Sequence, residues 1–291
     1  MIIVRLKGGM GNQLFQYAFG RKLATMQQTD LQLDLSSLLD RAKGDFVYRD
    51  YDLPAFRVEH RFLTSPKLLR FLYKSKSSLV SKLIRKQVQQ GRGHVREAHF
   101  HYQPELLDAP RHNAIYEGWF QSYRYFEGIE EVLRKEFAFT HEVLPESREL
   151  LQQIEGSESV CLNVRRTDFL KVDNLNTTDL DYFLRSAARM CDELQSPRFF
   201  IFSDDVQWCR DNIKLKVPMQ LVDHSHKGFK FTNYMQLMSA CRHFIIPNSS
   251  YAWWAIWLNT HADKKVIAPR RWFNDPEIDT TDLVPDHWIR M

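Results

Sequence analysis

The opening of the chain has the hydrophobic pattern of a strand, a helix and a second strand. Ile2 to Leu6 is a β-branched run that ends in glycines, and from Asn12 to Gln27 apolar side chains recur at helical spacing. Leu31 to Leu35 then alternates between apolar and polar residues, as a half-buried strand does. This order predicts a parallel α/β sheet.

A second series of apolar runs follows Glu142 to Ser157, a charged stretch with little apolar periodicity. Segments long enough for helices separate the predicted strands, which are Ser159 to Val164, Arg198 to Phe202, Met219 to Val222, Phe244 to Ile246 and Lys265 to Ile267. We therefore predict an α/β fold of two Rossmann-like domains, residues 1–150 and 151–291.

The composition is that of a folded enzyme, with 44% hydrophobic and 13% aromatic residues among 291. The cysteines have no C-x-x-C pair and no regular spacing, which predicts reduced, mostly buried thiols at Cys161, Cys191, Cys209 and Cys241. A formal net charge of +4 is too small to indicate nucleic-acid binding.

The N-terminus predicts a soluble, cytoplasmic protein. Met1 to Arg5 lacks the cationic start, long apolar run and cleavage site of a secretory signal. We also find no run of roughly 18 uninterrupted apolar residues, the length that a membrane-spanning helix needs.

Positive charge is concentrated between Lys67 and Arg96, where nine Lys or Arg residues occur without Asp or Glu and leucines lie among them. We interpret this segment first as the solvated face of a helix. The functional alternative is peripheral contact with an anionic membrane at its inner face, or with acidic substrates.

Glycines follow the first predicted strand, in the segment Gly8-Gly9-Met10-Gly11-Asn12-Gln13. Gly9 and Gly11 leave room for a ligand at the backbone, and a helix N-terminus offers N–H groups to a phosphate. Asp34 ends the next strand, where a dinucleotide fold has its ribose-binding carboxylate. Leu14 replaces the third glycine of G-x-G-x-x-G, so a purely structural turn is an equal alternative.

Two arginines and an aspartate follow the strand that opens the second half, in Asn163-Val164-Arg165-Arg166-Thr167-Asp168. Strand alternation would place Asn163 and Arg165 on one face and Arg166 on the other. We predict that Arg165 binds a pyrophosphate, because a guanidinium makes two parallel hydrogen bonds to phosphate oxygens. The alternative for this pair is an ion-pair network with Asp168 and nearby carboxylates.

Polar residues also follow two later strands. Asn248, Ser249 and Ser250 precede an aromatic helix, where they would cap it or hold a phosphate. Ser203 and Asp204 end a buried strand and suit a ribose hydroxyl or a guanine edge, although capping is the ordinary explanation.

Other patterns are less specific. Trp119 and Phe120 would stack on a sugar or pack in the core. The D-x-D pairs at residues 50–52 and 179–181 have the spacing of metal-dependent sugar transferases, which recurs by chance. His94, His99 and His101 match no firm metal motif, so we predict no metal site.

Together these segments resemble the α-1,2-fucosyltransferases of glycosyltransferase family 11, especially the bacterial members. The resemblance covers nearly the whole chain. It is most specific in the glycine segment, in Arg165-Arg166-Thr167-Asp168 and in Ser239-Ala240-Cys241-Arg242-His243-Phe244-Ile245-Ile246-Pro247-Asn248-Ser249-Ser250. One departure is Asn163, which stands where the family pattern H-x-R-R-x-D has histidine. Asparagine hydrogen-bonds but does not titrate near neutral pH, so we interpret Asn163 as a donor-binding residue that orients the donor.

The resemblance implies a GT-B-like fold with the donor site in the interdomain cleft, an acceptor-side N-terminal domain and a C-terminal domain that binds GDP-fucose. It implies a metal-independent, inverting galactoside 2-α-L-fucosyltransferase with a galactose-terminated oligosaccharide acceptor, in glycan or O-antigen-type synthesis. In related enzymes the arginine matching Arg165 holds the pyrophosphate, and the asparagine matching Asn12 lies near the reacting centre.

The general base stays open between Asp168 and Glu117. Two rival functions also stay open. The glycine turn and Asp34 favour an NAD-linked oxidoreductase, and the aromatic residues around Trp119 favour a carbohydrate-binding protein without catalytic activity.

Overall fold

Two parallel β-sheets with flanking helices make up the fold, in a computed structural model that describes residues 1–41, 48–108 and 110–291. Contacts divide the chain into a first unit, residues 1–140 with 281–283, and a second unit, residues 141–280 with 284–291. The prediction of two α/β units with parallel sheets is confirmed.

This division comes earlier in the chain than the boundary predicted at residue 150. Residues 141–147 hydrogen-bond within the second unit, where the Leu144 N–H donates to Asn233 Oδ1 over 3.0 Å and Gln236 Nε2 donates to the His141 carbonyl over 2.6 Å. A cut after residue 150 would also split a helix, Arg148–Glu155. Asn233 and Gln236 are far in sequence from the residues that they contact here, so the local charge pattern does not predict these bonds.

The first unit holds a sheet in the order β2-β1-β4-β3, with every pair parallel. Its elements are β1 (Ile2–Arg5), α1 (Met10–Met26), β2 (Leu31–Asp34), α2 (Pro66–Leu72), α3 (Ser78–Gln89), β3 (Gly93–Arg96), α4 (Glu105–Asp108), β4 (Ala114–Glu117) and α5 (Glu130–Glu136). Short 3-10 turns occupy Leu53–Ala55, Tyr73–Ser75 and Tyr123–Phe126. The predicted strand–helix–strand opening is confirmed.

The second unit holds a longer parallel sheet in the order β10-β9-β8-β5-β6-β7. Its elements are α6 (Arg148–Glu155), β5 (Glu158–Val164), α7 (Leu180–Glu193), β6 (Pro197–Ser203), α8 (Val206–Asn212), β7 (Met219–Val222), α9 (Thr232–Ala240), β8 (His243–Ile245), α10 (Ser250–Leu258), β9 (Val266–Ala268) and β10 (Ile289–Arg290). Further 3-10 turns occupy Pro145–Ser147, Phe169–Lys171, Asp173–Leu175, His224–His226 and Phe229–Phe231. All five predicted strands are confirmed to within a residue at each end.

Central strands of the second sheet are buried on both faces, which explains their continuous apolar sequences. Residues 159–164 of β5 are all buried, and so are residues 199–203 of β6. The cysteines are free, and all but Cys191 are buried, so the prediction of reduced and mostly buried thiols is confirmed.

Each sheet has a point where the strand order reverses. In the first sheet β1 is followed by β2 on one side and lies against β4 on the other; in the second sheet β5 lies between β6 and β8. Parallel α/β sheets bind ligands outside the carboxyl ends of the strands at such a point. The ends of β1 and β4, and the ends of β5 and β8, are therefore the places to look for sites.

The basic segment forms α2, α3 and β3 of the first unit. Within the described ranges, no helix combines the length and the apolar character that crossing a bilayer requires.

Candidate functional site

A loop of four residues follows β5 at the strand-order reversal of the second sheet. Strand β5 ends at Val164, so Arg165 and Arg166 both lie in this loop and the predicted strand alternation does not extend to them. Asp204, just beyond β6, accepts hydrogen bonds from the Arg166 N–H over 3.0 Å, from the Thr167 N–H over 3.1 Å and from the Thr167 hydroxyl. Asp204 thus fixes the loop to the neighbouring strand.

Arg165 is held between two carboxylates. Its Nη2 donates to Asp168 Oδ2 over 2.7 Å, and its Nη1 lies 3.3 Å from Asp204 Oδ2. The guanidinium carries five N–H donors in all, and about a quarter of the side chain is exposed. The ion-pair alternative is therefore observed, and it leaves the fork in a fixed orientation at the carboxyl end of the sheet.

Arg166 has a different environment. Its guanidinium lies 3.8 Å above the Trp208 ring, and its Nε is 3.6 Å from Asp205 Oδ2, too long for a hydrogen bond. Asp205 caps α8 by accepting from the Trp208 N–H over 3.1 Å. Arg166 is thereby packed against α8, whereas Arg165 lies between the two carboxylates.

Three side chains predicted to contact the donor have partners inside the unit. Asn163 Nδ2 donates to the Phe202 carbonyl over 3.2 Å, and Ser203 Oγ accepts from the Asp205 N–H over 2.9 Å. Both residues are buried. The carboxylate of Asp204 accepts hydrogen bonds from the loop and is only 8% exposed, and its binding of a ribose hydroxyl or a guanine edge stays a prediction.

Asn248, Ser249 and Ser250 lie between β8 and α10, at the same edge of the sheet as Arg165 because β5 and β8 are paired in parallel. Ser249 caps the helix, with Oγ accepting from the Ala252 N–H over 3.4 Å. Asn248 Nδ2 donates to the carbonyls of Leu175 and Trp272 over 3.0 and 2.8 Å. The capping interpretation is observed, and the helix N-terminus lies at the same edge of the sheet as the arginine loop.

This edge of the second sheet combines a fixed guanidinium with the N-terminus of a nine-residue helix. Both features attract anions, the first by bidentate hydrogen bonds and the second by N–H groups and the helix dipole. The chemistry suits a phosphate or a diphosphate.

The glycine turn of the first unit is shaped around Asn12. Gly8 has a φ of 77°, and a Cβ at this position would lie 2.4 Å from Asn12 Nδ2. The Asn12 Oδ1 accepts from Gln121 Nε2 over 2.6 Å, which links the turn after β1 to the segment after β4. Only glycine at position 8 leaves space for this amide.

Two buried glutamines clamp the same turn. Gln13 Nε2 donates to the Gly8 carbonyl over 2.9 Å, and Gln16 Oε1 accepts from the Lys7 N–H over 3.0 Å. A Cβ on Gly9 would meet other atoms only at ordinary contact distance, and Gly11 is a buried residue of the first helical turn. The turn thus has its own structural supports, and phosphate binding at Gly9 and Gly11 stays a prediction.

The carboxylate predicted to bind a ribose is fully buried. Asp34 accepts from Arg5 Nε over 2.7 Å and from the Ser36 N–H over 2.9 Å. It therefore has no accessible oxygen for a nucleotide, and the assignment that motivated an NAD-linked enzyme is wrong in this structure.

Glu117 belongs to the same network. Burial alone would raise the pKa of Glu117, but Arg5 Nη1 at 2.6 Å and His94 Nε2 at 3.0 Å hold this pKa below its ordinary value. A carboxylate stabilised in this way is a weak proton acceptor. Glu117 is a poor general base.

A second carboxylate beside it was missed by the sequence analysis. Glu97 follows β3, and its oxygens accept from the N–H groups of Trp119 and Phe120 over 2.6 and 3.0 Å. Burial raises the pKa of Glu97 to about 7, against the opposing effects of these bonds and of Lys7. Its position at the carboxyl end of a parallel strand was the available signal.

The turn that holds Glu97 is strained. Phe120 has a φ of 51°, in the left-handed region that bulky residues rarely adopt. Its ring is fully buried and stacks on Phe19 at 3.9 Å, so the alternative that Phe120 stacks on a sugar is wrong. Trp119 is only half-buried, and Lys7 Nζ lies 4.2 Å from its ring centre.

The D-x-D pairs have ordinary partners. Asp50 pairs with Arg70 over 2.7 Å, and Asp179 caps α7 by accepting from the Tyr182 N–H over 2.8 Å. In the described part of the chain, no group of three or more His, Cys, Asp or Glu side chains is arranged to hold a metal ion.

Known proteins are similar to this chain over between half and all of its length. It is 28% identical to an α-1,2-colitosyltransferase of Escherichia coli, over all of this chain and 99% of the relative. It is 26% identical to galactoside 2-α-L-fucosyltransferase Sec1 of Mus musculus, over 51% of this chain and 43% of the relative. A crystal structure of the fucosyltransferase NodZ from Bradyrhizobium matches with a TM-score of 0.49 and 15% identity, over 87% and 91% of the two chains.

The model of glycosyl transferase family 11 matches residues 1–291. All three segments that carry the resemblance, the glycine segment, the loop at Arg165 and residues 239–250, fall within this match. The chain belongs to glycosyltransferase family 11.

Proposed function

We propose that this glycosyltransferase moves L-fucose from GDP-β-L-fucose to the 2-hydroxyl of a galactose-terminated oligosaccharide. The observation that carries the proposal is the fixed Arg165 fork at the strand-order reversal of the second sheet, in a chain that matches family 11 throughout. The name of the mouse relative, a galactoside 2-α-L-fucosyltransferase, supports both the sugar and the acceptor.

Colitose is the second candidate for the transferred sugar, because a full-length relative is a colitosyltransferase. Colitose is the 3-deoxy counterpart of L-fucose, so the two donors differ by one hydroxyl group. A site that hydrogen-bonds this hydroxyl would strongly reject the deoxy sugar, since its polar groups would be left unpaired.

The donor diphosphate is assigned to the second unit. In a single displacement the acceptor oxygen bonds to C1 of the sugar as the bond from C1 to the β-phosphate oxygen breaks, which inverts the β-linked donor to an α-linked product. Negative charge then develops on the leaving diphosphate. Arg165 and the N-terminus of α10, around Ser249 and Ser250, stabilise this charge, and removal of one such donor costs about 10² to 10³ in rate.

Asp168 is proposed as the residue that orients Arg165, not as the base. Its Oδ2 already accepts the 2.7 Å bond from Arg165 Nη2, which favours the ionised carboxylate and weakens it as a proton acceptor. Asn163 and Asp204 support the loop in the same way, through the strand next to it.

The acceptor is assigned to the first unit, at the ends of β1 and β4. Asn12 is proposed to contact the acceptor or the transferred sugar, with its amide oriented by Gln121. Glu97 is proposed as the general base in place of Glu117 and Asp168, because its pKa of about 7 suits proton transfer near neutral pH. The half-buried Trp119 offers a ring to a sugar face.

Transfer is best tested with purified protein, GDP-fucose, GDP-colitose and a panel of free and β-linked galactosides, with products identified by NMR. We expect fucose α-linked to O2 of the terminal galactose, at a rate that a chelator leaves unchanged. Transfer of colitose alone would replace fucose with the second candidate. A β-linked product, or turnover of NAD with no sugar transfer, would contradict the proposal.

A further inference from the structure

The basic segment exposes apolar side chains as well as charge. Large apolar side chains in the segment are among the most exposed in the described chain, at 49% for Leu68, 67% for Phe71, 70% for Leu79 and 67% for Leu83. In a monomer such residues are ordinarily scattered, so a group within two successive helices indicates a surface that contacts something else.

On α3 the exposed residues form one face. Leu79 and Leu83 are four positions apart, Lys82 and Lys86 are four apart beside them, and successive helical residues turn by about 100°, so all four project within one sector. Ile84 and Val88 lie on the opposite side and are buried. The outward face therefore carries leucine and lysine side by side.

Five lysines of this surface are exposed and have no acidic partner among the described residues. They are Lys67, Lys74, Lys76, Lys82 and Lys86. Two arginines of the segment are paired instead, Arg70 with Asp50 and Arg85 with Asp40. The segment contributes nine positive charges to a chain whose formal net charge is only +4. The rest of the sequence is thus net negative, and seven of the nine positive residues lie between Lys67 and Lys86.

A depression of about 660 Å³ adjoins the same lysines. Its lining in the described chain comes from α3 and the residue after it: Lys82, Arg85, Lys86, Gln89 and Gln90. Three cations and two amides around one depression suit an anionic phosphate group.

We propose that the surface formed by Lys67–Lys86, on α2 and α3, docks on an anionic lipid bilayer. Lysines bind the phosphates of acidic lipids, while the leucines and Phe71 enter the boundary between headgroups and acyl chains. The alternation of exposed Leu and Lys distinguishes this surface from a nucleic-acid site, where exposed leucine would gain no comparable burial. Each lysine near such a surface contributes about a factor of five in binding.

The experiment is cosedimentation of the full chain with sucrose-loaded vesicles, without any sugar donor, so that its outcome is independent of the proposed transfer. Vesicles of phosphatidylcholine alone are compared with vesicles that also contain phosphatidylglycerol. We expect binding only to the anionic vesicles, and weaker binding as salt screens the charges.

Two double variants test the two components of the surface. Lys82→Gln with Lys86→Gln should weaken binding by roughly 30-fold, and Leu79→Ser with Leu83→Ser by at least about tenfold. The matched controls lie outside the segment: Lys214→Gln with Lys216→Gln removes the same charge, and Met26→Ser with Met219→Ser removes exposed apolar side chains. Both controls should bind vesicles as the unaltered protein does.

The proposal is overturned if the unaltered protein stays in the supernatant with anionic vesicles at low salt, or if controls and surface variants lose binding equally. Analytical ultracentrifugation is run on the same samples. A dimer that the two leucine substitutions convert to monomer would show that this face joins two copies of the chain, and would also overturn it.

Discussion

At the scale of single residues, the two carboxylates at the ends of β3 and β4 differ because of their neighbours. Glu117 pairs with Arg5 and His94, and its pKa is lowered. Glu97 is half-buried and accepts hydrogen bonds from two backbone N–H groups, and partial burial raises its pKa to about 7. Neighbouring carboxyl groups whose pKa values are shifted in opposite directions are a feature of acid–base sites.

This difference predicts the pH dependence of sugar transfer. If Glu97 is the base, the rate of transfer should rise with pH through a midpoint near 7, because only the ionised carboxylate accepts a proton. Glu97→Gln should lower kcat by about 10² to 10⁴ and remove this midpoint. Glu117→Gln is the control in the same network, and it should keep the midpoint. The role of Glu97 would be contradicted if kcat of the unaltered protein did not change over a range of about two pH units on each side of 7.

The raised pKa of Glu97 also predicts how folding stability changes with pH. Its pKa in the fold lies above the ordinary value of 4.5, so the protonated form is favoured by folding. This contribution is fully present below about pH 4.5 and is lost as pH rises through 7. A ¹³C NMR titration of the glutamate side-chain carboxyls, with Glu97→Gln to assign the signal, should show one resonance that titrates near pH 7.

At the scale of elements, the loop after β5 depends on a residue from the next strand. Asp204 accepts both N–H groups of Arg166 and Thr167, and it lies 3.3 Å from Arg165 Nη1. These contacts of Asp204 set the orientation of the Arg165 guanidinium. Preorganised donors are effective because they need no rearrangement when charge develops.

Asp204→Asn should therefore destabilise the fold and weaken donor binding together. An amide has one acceptor oxygen where the carboxylate has two, so the N–H of the half-buried Arg166 or of the exposed Thr167 loses its partner, at a cost of roughly 1 kcal/mol. The urea midpoint of unfolding and the affinity for GDP are the two measurements. Asp181→Asn is the control, because Asp181 pairs with Arg185 on the surface and its loss should change stability by less than about 0.5 kcal/mol. An unchanged GDP affinity in Asp204→Asn would remove the loop from the donor site.

The elements themselves were largely predictable, because their signals are local. The buried strands β5 and β6 read as continuous apolar runs, and the glycine turn marked the passage from β1 to α1. What was not predictable is which distant residue each polar group meets. The sequence suggested that Asp34 binds a ribose, but Arg5 donates a hydrogen bond to its carboxylate. The sequence also suggested that Asp204 binds a nucleotide, and in the structure its carboxylate accepts hydrogen bonds from the arginine loop.

At the scale of the whole molecule, the two units carry different functional groups at the carboxyl ends of their strands. The second unit has a cation and a helix N-terminus at its strand-order reversal, and the first has a fixed amide, a half-buried tryptophan and a carboxylate with a raised pKa. Glycosyl transfer needs an anion site for the leaving diphosphate and a base for the acceptor hydroxyl. The arginines in the sequence predicted the anion site, whereas our proposal of Glu97 as the base depends on contacts that only the structure shows.

The central claim is that the Arg165 fork grips the diphosphate of the donor, and calorimetric titration with GDP tests it most directly. The unaltered chain should bind GDP and show no heat with NAD, while Arg165→Ala should stay folded by circular dichroism and lose about 100-fold in affinity. Arg185→Ala, a surface arginine of the same unit, should bind GDP normally. GDP binding of equal strength by Arg165→Ala and by the unaltered chain would contradict the account.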